Sequence, residues 1–139
     1  MGVDPYLIAP TLSLAIGQRL VRTLCEDSRE EVPVDGQIKE TLLAEIESMP
    51  VEFRKKIKLP KTIYKAKLSA ECPKGTRGRV AIFEVLLMTK NLENIVLERR
   101  SESAIDEEAK RQGMLTMRQD GIIKVLEGSI GLTELLEVA

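Results

Sequence analysis

The sequence predicts an α+β protein that is mostly helical, with a short antiparallel β-ribbon and a helical C-terminal subdomain. Hydrophobic residues make up 43% of the 139 residues but aromatic residues only 3%. A core built from Leu, Ile, Val and Ala in a chain rich in Glu and Lys favours helices. Two strand-like segments flank a Pro- and Gly-containing turn at residues 72–78, which predicts the ribbon. Helix-cap signals recur from residue 90 onward, which predicts the helical end.

The N-terminal elements follow from local patterns. Residues 6–16 are apolar and predict a helix, with Pro10 in its first turn and Gly17 at its end. Residues 18–24 alternate in polarity and predict a strand. Residues 26–35 are acidic and contain Pro and Gly, which predicts a loop.

The middle of the chain predicts one helix and the ribbon. Residues 37–49 place Ile and Leu at helical spacing, with Asp35 or Gly36 as the cap. Residues 62–69 and 79–88 predict two antiparallel strands that pair with each other, the second buried on both faces.

The C-terminal helices are predicted from their caps. Helices are expected over residues 90–99 and from a Ser103 cap to Gln112, with Gly113 closing the second. Thr116 and Gln119 form a capping box for the next helix, which Gly128 closes. Gly131 begins a final short helix.

Composition excludes several classes of function. The net charge is -1 and His is absent, which argues against a nucleic-acid binder by bulk charge and removes the commonest general base. No apolar run reaches the length that a transmembrane helix needs. No phosphate-binding loop or nucleophile–base pair is recognisable, so this chain alone is not expected to be an enzyme. We expect a cytoplasmic protein.

The two cysteines have the spacing of two degenerate metal knuckles. Cys25 is followed three residues later by Ser28, and Cys72 is preceded three residues earlier by Ser69. A structural zinc site wants four thiolate or imidazole ligands, and a serine hydroxyl is a poor substitute. The sequence therefore favours two partly buried free thiols in a reducing compartment over a zinc site.

Charge is distributed unevenly along the chain. Residues 54–79 contain ten basic residues and one acidic residue, whereas residues 26–47 contain eight acidic and two basic residues. Two interpretations remain open. The basic segment binds an acidic partner or phosphates, or the two segments lie against each other. Glu84, inside an apolar strand, is either catalytic or a paired structural residue, and the second is favoured.

Three stretches together resemble the C-terminal part of the type II secretion and type IV pilus assembly ATPases. They are GVDPYLIAPTLSLAIGQRLVRTLC (residues 2–25), GTRGRVAIFEVL (residues 75–86) and GMLTMRQDGIIKVLEGSIGLTELLEV (residues 113–138). The resemblance extends over essentially the whole chain, and the three motifs occur in the family's order. The matching motif residues to which we assign structural roles are Gly78, Arg79, Glu84, Gly113, Asp120 and Gly121.

The resemblance implies a parent protein that is a cytoplasmic hexamer, peripheral to the inner membrane, and that hydrolyses ATP with Mg²⁺. Its partners would be the other ring subunits and an inner-membrane platform protein, and no nucleic acid is expected. Residues 1–25 would end the ATPase core, residues 26–78 would be an insert resembling the family's metal-binding subdomain, and residues 79–139 would form a strand and the helical subdomain.

The same resemblance places Arg19 and Arg22 where the motor core ends. One of them is a candidate for a position near the nucleotide cleft or a subunit boundary, and the competing interpretation is a pair of strand-end arginines neutralised by acids. The sequence departs from the family pattern at both knuckles, each of which lacks one Cys. Zinc is therefore not expected, and the insert should be held by the ribbon and the helix at residues 37–49.

Overall fold

A computed structural model describes residues 4–98 and 101–139. The predicted α+β class is confirmed. In chain order the described elements are α1 (Pro5–Thr11), β1 (Leu14–Leu24), β2 (Glu30–Pro33), α2 (Gly36–Ser48), α3 (Val51–Arg54), β3 (Thr62–Lys65), β4 (Thr76–Leu87), α4 (Lys90–Leu97), α5 (Glu102–Arg111), α6 (Met117–Leu126) and α7 (Leu132–Leu136). Within these residues no helix is long and apolar enough to cross a membrane.

The long ribbon pairs β1 with β4, and its two faces differ. Leu14 lies opposite Leu87 and Arg22 opposite Arg79, with an irregularity before Leu24. Because side chains alternate between faces along a strand, Val21 and Ile82 point into the core, where both are buried. The other face carries apolar side chains that are 41–57% exposed, and we call it the apolar ribbon face: Leu14, Ile16, Leu20, Phe83, Val85 and Leu87.

The predicted pairing of residues 62–69 with 79–88 is wrong. The strand β3 pairs instead with β2, in a segment predicted to be a loop. Opposite charges account for this choice, because Lys65 Nζ lies 3.2 Å from a carboxylate oxygen of Glu30 across the ladder. The twelve-residue β4 finds a partner of matching length in the eleven-residue β1. The strand β4 is also not buried on both faces, since one side belongs to the apolar ribbon face.

The first helix is shorter than predicted. It ends at Thr11, Pro10 lies in its last turn rather than its first, and Gly17 lies inside β1 rather than at a helix end. Close packing explains the glycine, because a Cβ at Gly17 would lie 2.8 Å from Oε1 of Glu84 and 2.9 Å from Cε of Met117. Any side chain there would separate β1 from the residues that it contacts.

The helix α6 is at the centre of the core. Its predicted capping box is confirmed, with Thr116 and Gln119 bonding each other's backbone. Ile122 and Val125 of α6 are fully buried and pack with buried side chains from α2, β1, β3, β4 and α7: Leu42, Ile46, Val21, Ile63, Ile82 and Leu135. The helix α6 therefore contacts both sheets and two further helices.

The other helix ends largely follow the sequence signals. The helix predicted at residues 37–49 is α2, with Asp35 at its cap position. The helix predicted at residues 90–99 is α4, and residue 99 lies outside the described residues. The α5 cap is Ser101 rather than Ser103. Gly113 and Gly128 close α5 and α6 with φ values of 74° and 79°, and Gly131 precedes α7 as predicted.

A buried carboxylate, which no sequence pattern predicted, joins α4 to α5. Glu108 is only 2% exposed. Its two oxygens accept hydrogen bonds from Arg111 at 2.6 and 2.7 Å, and from the side chains of Asn91, Thr89 and Gln112. These donors, Arg111 first, lower the pKa of Glu108 far below its ordinary value of 4.5, although burial opposes the shift. The carboxylate is thus satisfied as an anion.

We expect Glu108→Gln to destabilise the α4–α5 pair at neutral pH, because the amide cannot accept both bonds from Arg111. Folding favours the ionised form, so the contribution of Glu108 is present above about pH 4.5 and is lost as the pH falls below it. Melting temperatures measured from pH 7 to pH 2 should fall less steeply in the variant than in the wild type. The exposed neighbour Glu107→Gln is the matched control, and an equally steep fall in Glu108→Gln would contradict the assignment.

We expect Gly121→Ala to lower the free energy of unfolding by about 1–3 kcal/mol, through overpacking. A Cβ at Gly121 would lie 2.2 Å from Cδ1 of Leu135, and Leu135 is fully buried, so it has little room to move. The roughly 1 kcal/mol of helix propensity that Ala gains over Gly does not offset this. Urea unfolding measures the change, Glu107→Ala on the exposed side of α5 is the control, and a stabilised Gly121→Ala variant would overturn the explanation.

Candidate functional site

The two degenerate knuckles meet in space. Cys25 directly follows β1, Cys72 lies in the loop that precedes β4, and their sulfur atoms form a disulfide across 47 positions of sequence. The expectation of two free thiols is therefore wrong, because the described chain contains no free cysteine. The spacing was recognisable in the sequence. The bond was not, since only the β1–β4 register brings the two Cα atoms to 6.7 Å from each other.

The two serines of the knuckles support the backbone. Ser28 donates its hydroxyl hydrogen to the carbonyl of Lys67 at 3.0 Å, and the hydroxyl of Ser69 accepts the N–H of Cys72 at 3.0 Å. Neither hydroxyl is oriented as a free ligand, and the two sulfurs are bonded to each other. The residues present therefore do not fit the four-ligand zinc site of the family. No other cluster of three potential ligands occurs in the described residues.

The two candidate arginines of β1 have different surroundings. Arg19 donates to the backbone carbonyl of Val138, next to the end of the chain. Arg22 is exposed and lies directly opposite Arg79, so two like charges face each other across the ribbon. Like charges in this position repel. Among the described residues no acid forms an ion pair with Arg19 or Arg22, so the interpretation that acids neutralise them is not supported.

Two acidic motif residues connect β4 to α6. Glu84 accepts the N–H of Met117 at 3.3 Å, at the first turn of α6, where a carboxylate is favoured. Asp120 accepts the N–H of Phe83 at 2.9 Å and pairs with Lys124 at 2.7 Å. Glu84 thus has a backbone hydrogen-bond donor as its partner, and its structural role stays a prediction.

The motif glycines lie where the backbone has a positive φ or where a neighbouring side chain leaves no room for a Cβ. Gly78 has a φ of 83° inside β4 and Gly113 one of 74° after α5, values that side chains disfavour. Gly121 lies against Leu135, as described above. Their positions are consistent with the structural roles that the sequence predicts for them.

The basic and acidic segments contact each other only in part. Glu30 lies 3.2 Å from Lys65 and 4.0 Å from Lys67, which supports mutual neutralisation there. The loop between α3 and β3 differs. Its lysines are exposed and form no ion pair within the described chain, and we call them the lysine loop: Lys55, Lys56, Lys58 and Lys61.

Comparisons with known proteins identify the family of the chain. The model of the family described as type II/IV secretion system protein matches residues 1–137. The chain is 34% identical over 138 residues to the type IV pilus assembly ATPase PilB of Thermus thermophilus, and 33% identical over 139 residues to the type II secretion system ATPase E of Vibrio cholerae. The PilB of Pseudomonas aeruginosa is 33% identical over 138 residues.

The alignments cover 98–99% of this chain but only 14%, 25% and 23% of those three relatives, respectively. The shared part includes the ribbon, the insert with its two knuckles and the helical end. With a family match across nearly its whole length, the chain belongs to the type II/IV secretion system protein family.

Proposed function

We propose that these residues form the C-terminal part of an ATPase that powers type IV pilus assembly or type II secretion. The relatives named above are ATPases of those two systems, and they align with this chain along its length. The chain itself would complete the motor domain, contact neighbouring subunits and transmit motion. ATP and Mg²⁺ would bind to the remainder of the parent, and no zinc would be required.

The observation that carries this proposal is the apolar ribbon face. Six aliphatic or aromatic side chains on one side of β1 and β4 are 41–57% exposed, a pattern that marks an interaction surface. In the described residues this sheet has two strands, and a lone two-stranded ribbon is marginally stable in water. The remainder of a motor core, packed on this face, would supply both the missing cover and further strands.

The proposed segments 1–25, 26–78 and 79–139 are compatible with the same pairing. The strand β1 lies within residues 1–25, and β4 begins at Thr76 and lies mostly within residues 79–139, so residues 26–78 would be an insertion between the two strands of the ribbon. The parent would be a cytoplasmic ring, attached to the inner membrane through a platform protein. Arg22, repelled by Arg79 across the ribbon, would be neutralised by an anion from the nucleotide or from an adjacent subunit.

We expect Ile16→Lys in the full-length protein to reduce ATP turnover and ring assembly, because a charge would be buried where the motor core covers the ribbon. Val51→Lys is a matched control, since Val51 is similarly exposed, at 50% against 57% for Ile16, but belongs to α3 and not to the apolar ribbon face. Turnover and size by light scattering measure the effect. If both variants assembled and turned over normally, the ribbon would not be covered.

We expect Arg22→Ala in the full-length protein to lower kcat about tenfold or to reduce the size of the ring, because an anion would lose its partner. Arg19→Ala, which removes a bond to the backbone of Val138, should mainly lower stability. The exposed Lys56→Ala is the control. Unchanged turnover and hexamer size in both arginine variants would contradict a role at the cleft or boundary.

The lysine loop favours a second candidate function. Four exposed lysines without ion pairs could bind an acidic partner or nucleic acid in a free-standing module. Binding of that kind weakens steeply as salt rises. Affinity for an acidic peptide and for single-stranded DNA, measured from 50 to 200 mM salt, would distinguish this candidate from the motor, for which no such binding is expected.

A further inference from the structure

We propose that the Cys25–Cys72 bond is a site of reversible thiol–disulfide exchange with a small amino-acid-type thiol. The bond encloses residues 26–71, which contain β2, α2, α3 and β3 and which we call the enclosed segment. Making or breaking it changes how firmly the enclosed segment is attached to the ribbon. No family zinc can serve here, since the residues present do not fit one.

The surrounding backbone keeps the two cysteines adjacent without the sulfur bond. The N–H of Cys25 donates to the carbonyl of Gly75 at 3.1 Å, and the N–H of Gly75 donates to the carbonyl of Cys72 at 2.9 Å. Thr23 donates its hydroxyl hydrogen to the carbonyl of Arg77 in the same region. Reduction therefore leaves the thiols close together, at a high effective concentration, and the bond can form again.

A cavity lies against one of the two cysteines and gives small reagents an approach to it. A pocket of about 410 Å³ is lined by Cys25, Arg29, Arg77, Glu26 and Asp27 among others, whereas Cys72 does not line it. Both cysteines are otherwise buried. The pocket wall contains two cations and two anions, which suits a ligand that itself bears amino and carboxylate groups. The guanidinium of Arg29 is held in place by the Tyr64 ring at 4.1 Å and the carbonyl of Gly128 at 2.6 Å.

The exchange proceeds in two balanced steps. A small thiolate in the pocket attacks Sγ of Cys25, the protein disulfide breaks, and Cys72 leaves as a thiolate that takes up a proton. A second small thiolate attacks the sulfur of the attached small thiol. This step releases a small-molecule disulfide and the free thiol of Cys25. Two electrons pass from the two small thiols to the protein, and oxidation is the reverse.

The pocket predicts that Cys25 reacts before Cys72. In the full-length protein, Cys72→Ser leaves Cys25 alone, and Cys25→Ser leaves Cys72 alone. With oxidised glutathione as the probe, the mixed disulfide should form at least about tenfold faster in Cys72→Ser, because rate follows access to the sulfur. Mass spectrometry after alkylation measures both rates. Equal rates, or a faster reaction at Cys72, would overturn the proposal.

The charged side chains that line the pocket predict that Cys25 prefers a charged thiol to an uncharged one. Arg77→Gln should slow the reaction of Cys25 with glutathione about threefold and leave the reaction with the uncharged 2-mercaptoethanol unchanged, because only glutathione carries carboxylates. Arg54→Gln, an exposed arginine that does not line the pocket, is the control. An equal loss with both thiols would show that Arg77 acts on the fold and would refute recognition.

The consequence for the fold is measured on the wild type itself. Reduction should speed amide hydrogen exchange in α2 and β3 at least about tenfold, because the enclosed segment loses its covalent tie. The Cys25→Ser/Cys72→Ser variant should be insensitive to added thiol. If the wild type kept both thiols free in oxidised glutathione, or bound stoichiometric zinc and melted on chelation, the proposal would be wrong.

Discussion

The antiparallel pairing of β1 with β4 is the constraint on which the rest of the structure depends. It connects residues far apart in sequence and turns everything between them into an insertion. It also brings Cys25 to Cys72, and it places Val21 and Ile82 under α6. Two carboxylates stabilise the packing of α6 on the ribbon, because Glu84 and Asp120 accept backbone N–H groups across the interface between β4 and α6. If this pairing were lost, neither the core nor the knuckle region would form.

How much of this the sequence could predict depended on the range of the interaction. Local signals worked well, as the capping box at Thr116 and the glycines that close α5 and α6 show. The prediction of which distant strands pair was wrong. The segment at residues 79–88 looked like the partner of its nearest strand, but its true partner is β1. The acidic strand β2 looked like a loop, because Glu30 and Glu31 have low strand propensity, whereas the packing of Val32 and Ile63 against the core and the Glu30–Lys65 pair, which favour the ladder, are tertiary contacts.

The sequence pointed to positions in the candidate region but not to the bonds that they make. The knuckle spacing and the family resemblance drew attention to Cys25 and Cys72, and the structure joins these two residues. The disulfide and the Glu108 network were missed, because each needs tertiary contacts. The sequence signal for Glu108 was weak, because Glu108 is one of several acids on a helix that is polar on most sides. Arg111, three residues away on the same face, was the only local clue.

A disulfide and the common core together hold residues 26–71 against the ribbon. Closing a loop of 47 positions contributes about 4 kcal/mol in the chain-entropy account. Leu42, Ile46 and Ile63 add to this tie, because they bury their side chains in the same core as α6. The sulfur bond is therefore not the sole attachment of these residues, and a bond that can be broken and formed again is sufficient.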